Sequence, residues 1–306
     1  MTDRRGFLGG CAALAAGFAG CRMPFSWPRR KIAINPATIR GYGLSLKDQV
    51  EAAVEAGFTG FEPWLKDVHA ARARGEFEDA VKIARDGGVE FINGIAFGPW
   101  AHPDAGIRAV AMEETKRDME ALAEMGCPCI AASMFGVHKP GSPELTADEI
   151  ARRYGKLCEL GDEMGVKPLL EYWGGSVNMN RLEDTLDVLD KVPRKDTAVL
   201  ADVYHTFRGG GSFSSYSRLC PGMLPVLHVN DYLTDIPREK QTDANRVWPG
   251  VGAAPWEEIF ARLDTAGLDP WLSIELFNPL YWRTTPEETM AEGFRRVKEL
   301  EKRKGA

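Results

Sequence analysis

Short apolar runs alternate with stretches of helical periodicity about eight times along the chain. The predicted strands cover residues 32–35, 60–64, 90–96, 129–134, 167–171, 197–202, 224–228 and 271–275. The predicted helices cover residues 46–56, 77–86, 112–125, 147–164, 182–192, 255–266 and 286–302, with a short segment near 214–219. Strands separated by helices favour parallel pairing through crossover connections. Eight such units predict an α/β fold, a single-domain (β/α)8 TIM barrel over residues 31–306.

An open, doubly wound sheet is the alternative architecture for the same alternation of elements. Its dinucleotide-binding form needs a Gly-x-Gly-x-x-Gly turn after the first strand. The residues that follow the predicted strand at 32–35 contain no such turn. The barrel is therefore the favoured interpretation.

Four predicted strands end on a polar residue of a type that binds metals: Glu171, Asp202, His228 and Glu275, which are 31, 26 and 47 residues apart. In a barrel of parallel strands, the carboxyl ends of all strands meet at one rim. Singly, each residue is more often a helix cap, an ion-pair partner or a packed core residue. Four of them after four apolar runs need a shared reason, because buried charges are costly unless they are paired or coordinated. The set predicts one divalent cation at the rim.

The composition of this ligand set bears on which cation it prefers. Three carboxylates and one imidazole form an oxygen-rich site that favours Mn²⁺, with Mg²⁺ and Co²⁺ as alternatives, over thiolate-type zinc sites. Zn²⁺ is a further alternative. Four protein ligands leave open positions for substrate oxygens on an octahedral ion.

The first 30 residues are predicted to lie outside the barrel. Arg4 and Arg5 precede an Ala- and Gly-rich stretch at 9–20, a pattern typical of a twin-arginine signal peptide, with an ordinary N-terminal helix as the alternative. This pattern predicts engagement of the twin-arginine translocon and a periplasmic or other extracytoplasmic location. Cys21 follows Ala19-Gly20, as in a lipoprotein cleavage site, and is a candidate lipid anchor.

The overall charge argues against nucleic acid as a partner. The chain has 38 Lys and Arg against 44 Asp and Glu, which gives a formal net charge of −6 over its 306 residues. An acidic chain has no long-range attraction to phosphate backbones. A small-molecule partner is the better expectation, and assembly into a homo-oligomer stays open.

Five segments resemble the xylose-isomerase-like TIM barrel family, in register and in order between residues 31 and 303. They are Leu-Glu-Tyr-Trp at 170–173, Ala-Asp-Val-Tyr-His at 201–205, Leu-His-Val-Asn-Asp at 227–231, Arg-Val-Trp-Pro-Gly-Val-Gly at 246–252 and Ile-Glu-Leu-Phe at 274–277. This family includes sugar phosphate isomerases and epimerases, ketose 3-epimerases, hydroxypyruvate isomerase and inosose dehydratase. The resemblance implies that the four strand-end residues hold the metal, and that Glu171 and Glu275 also exchange protons with substrate.

The resemblance also implies that His205 and Arg246 contact substrate oxygens. An insertion at residues 230–245 precedes Arg246, so Arg238 is the alternative for that role. Two further candidates come from their places at the predicted rim. Glu62 is a candidate to bind a sugar hydroxyl, and Trp100 is one of several aromatic residues that could support a sugar ring; structural roles are the alternatives.

The predicted chemistry is proton transfer at a carbon next to a carbonyl. A divalent ion stabilises the enediolate, and a neighbouring carboxylate acts as base. Return of the proton to the other face gives an epimerase, and return to the neighbouring carbon gives an isomerase. Loss of a β-substituent gives instead a lyase or dehydratase acting on a keto-sugar, keto-glycoside or inosose.

Two other function classes share this scaffold or this metal site. An apurinic endonuclease needs additional histidines after the seventh strand, and none follows His228. A sugar-binding protein without activity is the last alternative, and turnover distinguishes it from an enzyme.

Overall fold

Eight parallel strands form the centre of the computed structural model, which describes residues 30–303. The strands are β1 (Ile32–Ile34), β2 (Gly60–Phe61), β3 (Glu90–Phe91), β4 (Cys129–Ala132), β5 (Lys167–Glu171), β6 (Ala198–Asp202), β7 (Val226–Val229) and β8 (Trp271–Ile274). Their order is β3-β2-β1-β8-β7-β6-β5-β4. The outer strands β3 and β4 are joined beyond β3 by Gly94, whose N–H donates to Cys129 and whose carbonyl accepts from Ala131, both at 2.8 Å. The predicted (β/α)8 barrel is confirmed.

Helices connect the strands on the outside of the sheet. They are α1 (Leu46–Glu55), α2 (Leu65–Arg74), α3 (Phe77–Asp86), α4 (Ala105–Glu124), α5 (Ala147–Met164), α6 (Leu182–Leu189), α7 (Val203–Gly209), α8 (Trp256–Thr265) and α9 (Pro286–Arg303). Capping residues mark several starts: Thr146 and Glu149 form a capping box at α5, and Asp104 caps α4, which begins at Ala105, seven residues before the predicted start. Short 3₁₀ segments cover Pro36–Tyr42, Phe213–Arg218, Arg238–Lys240, Asp243–Asn245 and Pro279–Arg283.

Two helices, each of which directly follows a strand, were not predicted from the sequence. Helix α2 directly follows β2, and the seven-residue helix α7 directly follows β6. Helix α7 is too short to show the periodicity of a long helix, and α2 contains only two large apolar residues, Leu65 and Val68. Helix α7 matters for the site because it carries His205.

The predicted leader and the candidate anchor Cys21 lie outside the described residues. Arg30, the last residue assigned to the leader, is buried and forms an ion pair with Asp264 at the end of α8. Within residues 30–303, none of the helices combines the length and the apolar character needed to cross a bilayer.

The alternation of side chains along the strands decides which residues face the barrel interior. Ala33, Leu169, Leu200 and Val226 belong to the inner core, whereas their neighbours along each strand pack against the helices. Successive strand residues point to opposite faces. Glu171, Asp202 and His228 each lie two residues beyond an inner-core residue of their own strand. The strand period therefore aims them into the barrel at its carboxyl-terminal rim.

One buried carboxylate, that of Asp231, fixes the return of the chain after the inserted segment. The Asp231 carboxylate accepts N–H groups from Gly250, Ala254 and the Trp256 indole, each at 2.9 Å. The backbone of Asp231 also exchanges two hydrogen bonds of 2.9 Å with Val247. These contacts return the chain to the rim immediately after residue 246, so Asp231 sets the position of Arg246.

Asn at position 231 is expected to destabilise the protein by about 2–3 kcal/mol, because the amide nitrogen cannot accept the N–H groups that now reach that oxygen. Urea unfolding of Asp231→Asn measures this loss. Asp235→Asn, the same change at an exposed position of the same segment, is the matched control and should match the wild type. Equal unfolding midpoints for the two variants would contradict the role given to Asp231.

Candidate metal centre

Asp202, His228 and Glu275 meet at the carboxyl-terminal rim and are all buried. One ligand atom from each residue lies within 4.8 Å of the others, which makes the group able to hold a metal ion. His228 Nδ1 is 3.2 Å from Glu275 Oε2 and 3.6 Å from Asp202 Oδ2. The structure thus brings together three of the four predicted ligands.

His228 Nδ1 is a buried nitrogen without a hydrogen-bond partner among the described residues. The nearby carboxylates are close to it but not aligned as acceptors. Burial opposes a charge on this imidazole, yet Glu275 and Glu62 outweigh burial and raise the pKa of His228 above its ordinary value. The surroundings therefore favour positive charge at Nδ1, and the donor set suits a divalent cation.

Glu62 holds the other ring nitrogen of His228. Its two carboxylate oxygens lie 3.0 and 3.2 Å from Nε2. They also accept hydrogen bonds from Asn93 Nδ2 at 2.8 Å, Asn35 Nδ2 at 3.3 Å and the Ser273 hydroxyl. Burial raises the pKa of Glu62, but His228 outweighs it, so the pKa lies below its ordinary value. A carboxylate that accepts Nε2–H makes Nδ1 the ring nitrogen that binds a cation, a proton or a metal ion, which is the usual second-sphere arrangement around a metal-binding histidine.

The substrate contacts predicted for Glu62 and Trp100 need side chains that face the cavity, and neither does. Glu62 is fully buried in contact with His228 Nε2 and does not line the cavity. Trp100 is also buried, and its indole N–H donates to the Ser133 carbonyl at 2.7 Å. A position at the end of a strand does not by itself predict substrate contact. Some side chains at the rim line the cavity, whereas others are buried and support the residues that do.

Arg246 lies beside the three-residue group and is almost fully buried. Its Nη1 is 3.0 Å from Asp202 Oδ2 and 2.8 Å from Glu275 Oε2. Its Nη2 is 3.0 Å from His205 Nε2 and 2.6 Å from Asp243 Oδ1. Burial opposes the charge, but Asp202, Asp243 and Glu275 outweigh it and raise the pKa of Arg246 further. The guanidinium is thus a permanent cation in contact with two of the candidate ligands.

Arg246 lines the cavity and the alternative, Arg238, does not. Arg238 is exposed in the 3₁₀ segment Arg238–Lys240, and its guanidinium lies next to Gly210. The return of the chain at Asp231 brings Arg246 back to the rim despite the insertion. Of the two arginines considered, Arg246 is the one that can reach a ligand in this cavity.

Asp202 connects the metal group to His205. Its Oδ1 accepts the His205 N–H at 2.7 Å and caps helix α7, while its Oδ2 accepts from Asn230 Nδ2 at 3.0 Å. Burial outweighs the attraction of Asp202 and holds the pKa of His205 below its ordinary value. The ring is therefore neutral, and its Nε2 can accept from Arg246. For Asp202 itself, burial is outweighed by the charge of Arg246, which lowers the pKa of the carboxyl.

Glu171 is buried at the end of β5 and lines the same cavity, outside the three-residue group. Burial raises the pKa of Glu171 to about 8, with Glu275 and Asp202 adding to the effect and His228 opposing it. A carboxyl whose pKa lies near neutrality suits proton exchange. Its place as a fourth metal ligand stays a prediction.

The cavity above these residues has a volume of about 610 Å³, and polar and aromatic side chains line different sides of it. Glu171, His205, Arg246 and Glu275 form its polar side.

Two residues of the site were not identified from the sequence: Asp243, which contacts Arg246, and Asn230, which contacts Asp202. Asn230 follows β7 directly, which could have marked it, whereas Asp243 lies in the insertion without any local pattern.

Several curated proteins resemble this chain. Inosose isomerase from Bacillus velezensis is 27% identical over 180 residues, which cover 58% of this chain and 64% of the relative. Inosose isomerase from Bacillus subtilis is 29% identical over 136 residues, 44% of this chain and 49% of the relative, so the chain spans about half to two thirds of these relatives. The putative hydroxypyruvate isomerase of Streptomyces coelicolor is 26% identical over 257 residues, covering 76% and 85%. The 3-dehydroshikimate dehydratase of Pseudomonas aeruginosa is 22% identical over 264 residues, covering 85% and 40%.

Solved structures share the fold at low sequence identity. The IOLI protein with a binding zinc atom has a TM-score of 0.80 and 22% identity, covering 88% of this chain and 97% of that one. D-psicose 3-epimerase in the presence of D-fructose has a TM-score of 0.73 and 16% identity, covering 90% and 100%. The family model described as xylose isomerase-like TIM barrel matches residues 50–300. The chain therefore belongs to the xylose isomerase-like TIM barrel family.

Proposed function

We propose that this chain is a divalent-metal-dependent carbohydrate isomerase or epimerase that moves a proton at a carbon next to a carbonyl. The observation that carries the proposal is the buried His228 Nδ1, which lies between the Asp202 and Glu275 carboxylates and has no hydrogen bond within residues 30–303. Glu171, with its raised pKa, lines the same cavity. The relatives named isomerases and epimerases support the same reaction class.

Asp202, His228 and Glu275 would hold the cation, with Glu171 as the proposed fourth ligand. A divalent cation supplies positive charge that stabilises the enediolate formed when the proton leaves. An oxygen-rich set with one imidazole favours Mn²⁺, although a related structure holds zinc. Glu62 keeps the His228 ring oriented for this role.

The chain's own residues divide the remaining work between them. Glu171 and Glu275 are the proposed proton acceptors and donors. Arg246 supplies fixed positive charge next to Glu275 and, with neutral His205, is proposed to hold substrate oxygens. Burial of all four side chains excludes bulk water and strengthens each of these contacts.

A lyase or dehydratase acting on a keto-sugar, keto-glycoside or inosose is the second candidate. The similarity of the 3-dehydroshikimate dehydratase of Pseudomonas aeruginosa, which extends over 85% of this chain, supports this second reaction class. The two candidates share proton abstraction and differ in the next step, since a lyase expels a β-substituent whereas an isomerase or epimerase returns the proton.

Export through the twin-arginine route, a lipid anchor at Cys21 and an extracytoplasmic site of action are proposals from the sequence alone. An exported enzyme would meet carbohydrates outside the cytoplasm. Fractionation of cells that produce the full chain, compared with an Arg4→Lys, Arg5→Lys variant, tests the route.

Removal of the Glu62 charge is expected to weaken metal binding about 10- to 100-fold, because His228 loses the acceptor that orients its ring. Titration calorimetry with Mn²⁺ on the metal-free protein compares Glu62→Gln with the wild type. Glu55→Gln, an exposed position at the end of α1, is the control and should bind as the wild type does. Unchanged affinity in Glu62→Gln would remove the second-sphere role.

Deuterium uptake from D₂O tests the proposed reaction directly. NMR follows a panel of ketoses, keto-glycosides and inososes with Mn²⁺-loaded protein. Uptake without elimination is the result expected of an isomerase or epimerase, whereas loss of water or aglycone identifies the lyase. Metal binding without exchange or elimination on any member would contradict both.

Glu171→Gln is expected to slow the exchange about 10²- to 10⁴-fold even when Mn²⁺ is saturating, because the base is lost. Its Mn²⁺ affinity, measured in parallel, should fall about tenfold or more if Glu171 is the fourth ligand. Restoration of wild-type exchange by excess Mn²⁺ would limit Glu171 to metal binding. Glu55→Gln again serves as the control.

A further inference from the structure

The cavity has a second side that the proposed reaction does not use. Five rings, which we call the aromatic wall, lie in the loops after β2 to β5: Trp64, Phe97, Phe135, His138 and Trp173. Phe97 is at its centre, with ring centroids 5.6 Å from Trp64, 5.7 Å from Phe135 and 6.3 Å from Trp173. His138 joins it at 5.7 Å from Phe135 and 5.0 Å from Trp173.

Two rings of the wall are open to the cavity although they are large and apolar. Phe97 is 41% exposed and Phe135 is 37% exposed. A concave site that presents exposed aromatic rings beside a few polar groups is typical of a pocket for a partly apolar ligand. A free monosaccharide, with hydroxyls on most carbons, would use the polar side and leave these rings in water.

Hydrogen bonds below the wall hold its loops in place. Trp100 donates to Ser133, which ties the loop that bears Phe97 to the strand end before Phe135. Arg153 Nη1 donates to the Ala101 carbonyl at 2.6 Å and holds the same loop from α5. The Val177 N–H donates to the His138 carbonyl at 2.9 Å and connects the loops after β4 and β5. The exposure of the rings is thus built into anchored loops.

The charges around the wall limit what can lie on it. The carboxylates that line the cavity are Glu171, Asp243 and Glu275, which belong to the polar side or to the insertion. The cations that line it include Arg40 and Lys139. Burial and Lys139 lower the pKa of His138, so its ring is neutral. The wall therefore suits a planar group that is neutral or negatively charged.

We propose that the substrate is a glycoside with two parts: a carbonyl-bearing sugar ring on the polar side, and an aromatic aglycone on the aromatic wall. This inference rests on the proposed function, because Glu171 and Glu275 define where the reacting ring lies. Phe97 and Phe135 become specificity-determining residues that distinguish a substituted sugar from a free one. A second sugar ring presents a similar flat face of C–H groups. The experiment must therefore distinguish an aromatic aglycone from a second sugar.

Matched probes test the proposal: the 3-keto forms of methyl glucoside, phenyl glucoside and cellobiose, titrated by calorimetry into the full, Mn²⁺-loaded protein. The phenyl probe should bind about tenfold more tightly than the methyl probe. Phe97→Ala and Phe135→Ala should each reduce this ratio to about threefold or less, mainly by weakening the phenyl probe. Phe97→Leu, which keeps an apolar side chain without the ring, tests whether stacking is the cause.

Val110→Ala is the control, because Val110 is 61% exposed on α4 and does not line the cavity. It should keep the wild-type ratio. Tighter binding of the cellobiose probe than of the phenyl probe would overturn the aromatic aglycone in favour of a second sugar. Equal binding of all three probes, or no binding of any, would overturn the proposal.

The same samples separate this inference from the proposed function. Mn²⁺ affinity and deuterium exchange on the methyl probe report on the metal group and on the proposed reaction, and Val110→Ala should leave both unchanged. Normal Mn²⁺ binding and exchange with no preference for the phenyl probe would remove the aglycone site alone. Absence of exchange on every probe, with a preserved preference, would instead remove the proposed reaction.

Discussion

The burial of several carboxylates around one imidazole is the constraint on which the site depends. Glu62, Asp202 and Glu275 all lie within 3.6 Å of a His228 ring nitrogen, and all are buried. Buried carboxylates at such distances repel one another unless positive charge lies between them. Arg246 provides a permanent part of that positive charge through its contacts with Asp202 and Glu275. A divalent cation bound at His228 Nδ1 would provide the rest. The electrostatics of the fold and the proposed chemistry thus have the same origin.

Strand periodicity explains how much of this site could be predicted from the sequence. The eight units followed from the apolar runs, and the period of two then brings Glu171, Asp202 and His228 to the inner face. The boundaries were less accurate: β7 continues to Val229, and Glu275 follows the last residue of β8. These shifts leave the side chains on the inner face, because the parity of a strand survives an error at its end.

Which strand-end carboxylate lines the cavity could not be predicted in the same way. Glu62 and Glu171 both follow apolar runs, yet Glu62 is fully buried against His228 Nε2 while Glu171 lines the cavity. The difference depends on register between neighbouring strands and on partners such as Asn93 and Ser273, which are distant in sequence. Asp243 was missed for a related reason, since an insertion without periodicity carries no local signal of where it returns to the fold.

Asp231 shows how a structural residue determines the chemistry of a residue far along the chain. Its carboxylate binds three N–H groups of the segment at 250–256, and its backbone pairs with Val247. Gly252 passes so close that an added Cβ would lie 2.3 Å from the Asp231 carboxylate, which leaves no room for a side chain. Asp231 at the start of the insertion and Asp243 near its end therefore fix the position of Arg246 together. A barrel that fixes its reacting groups through buried contacts is free to change specificity in the loops above them, and the aromatic wall lies in those loops.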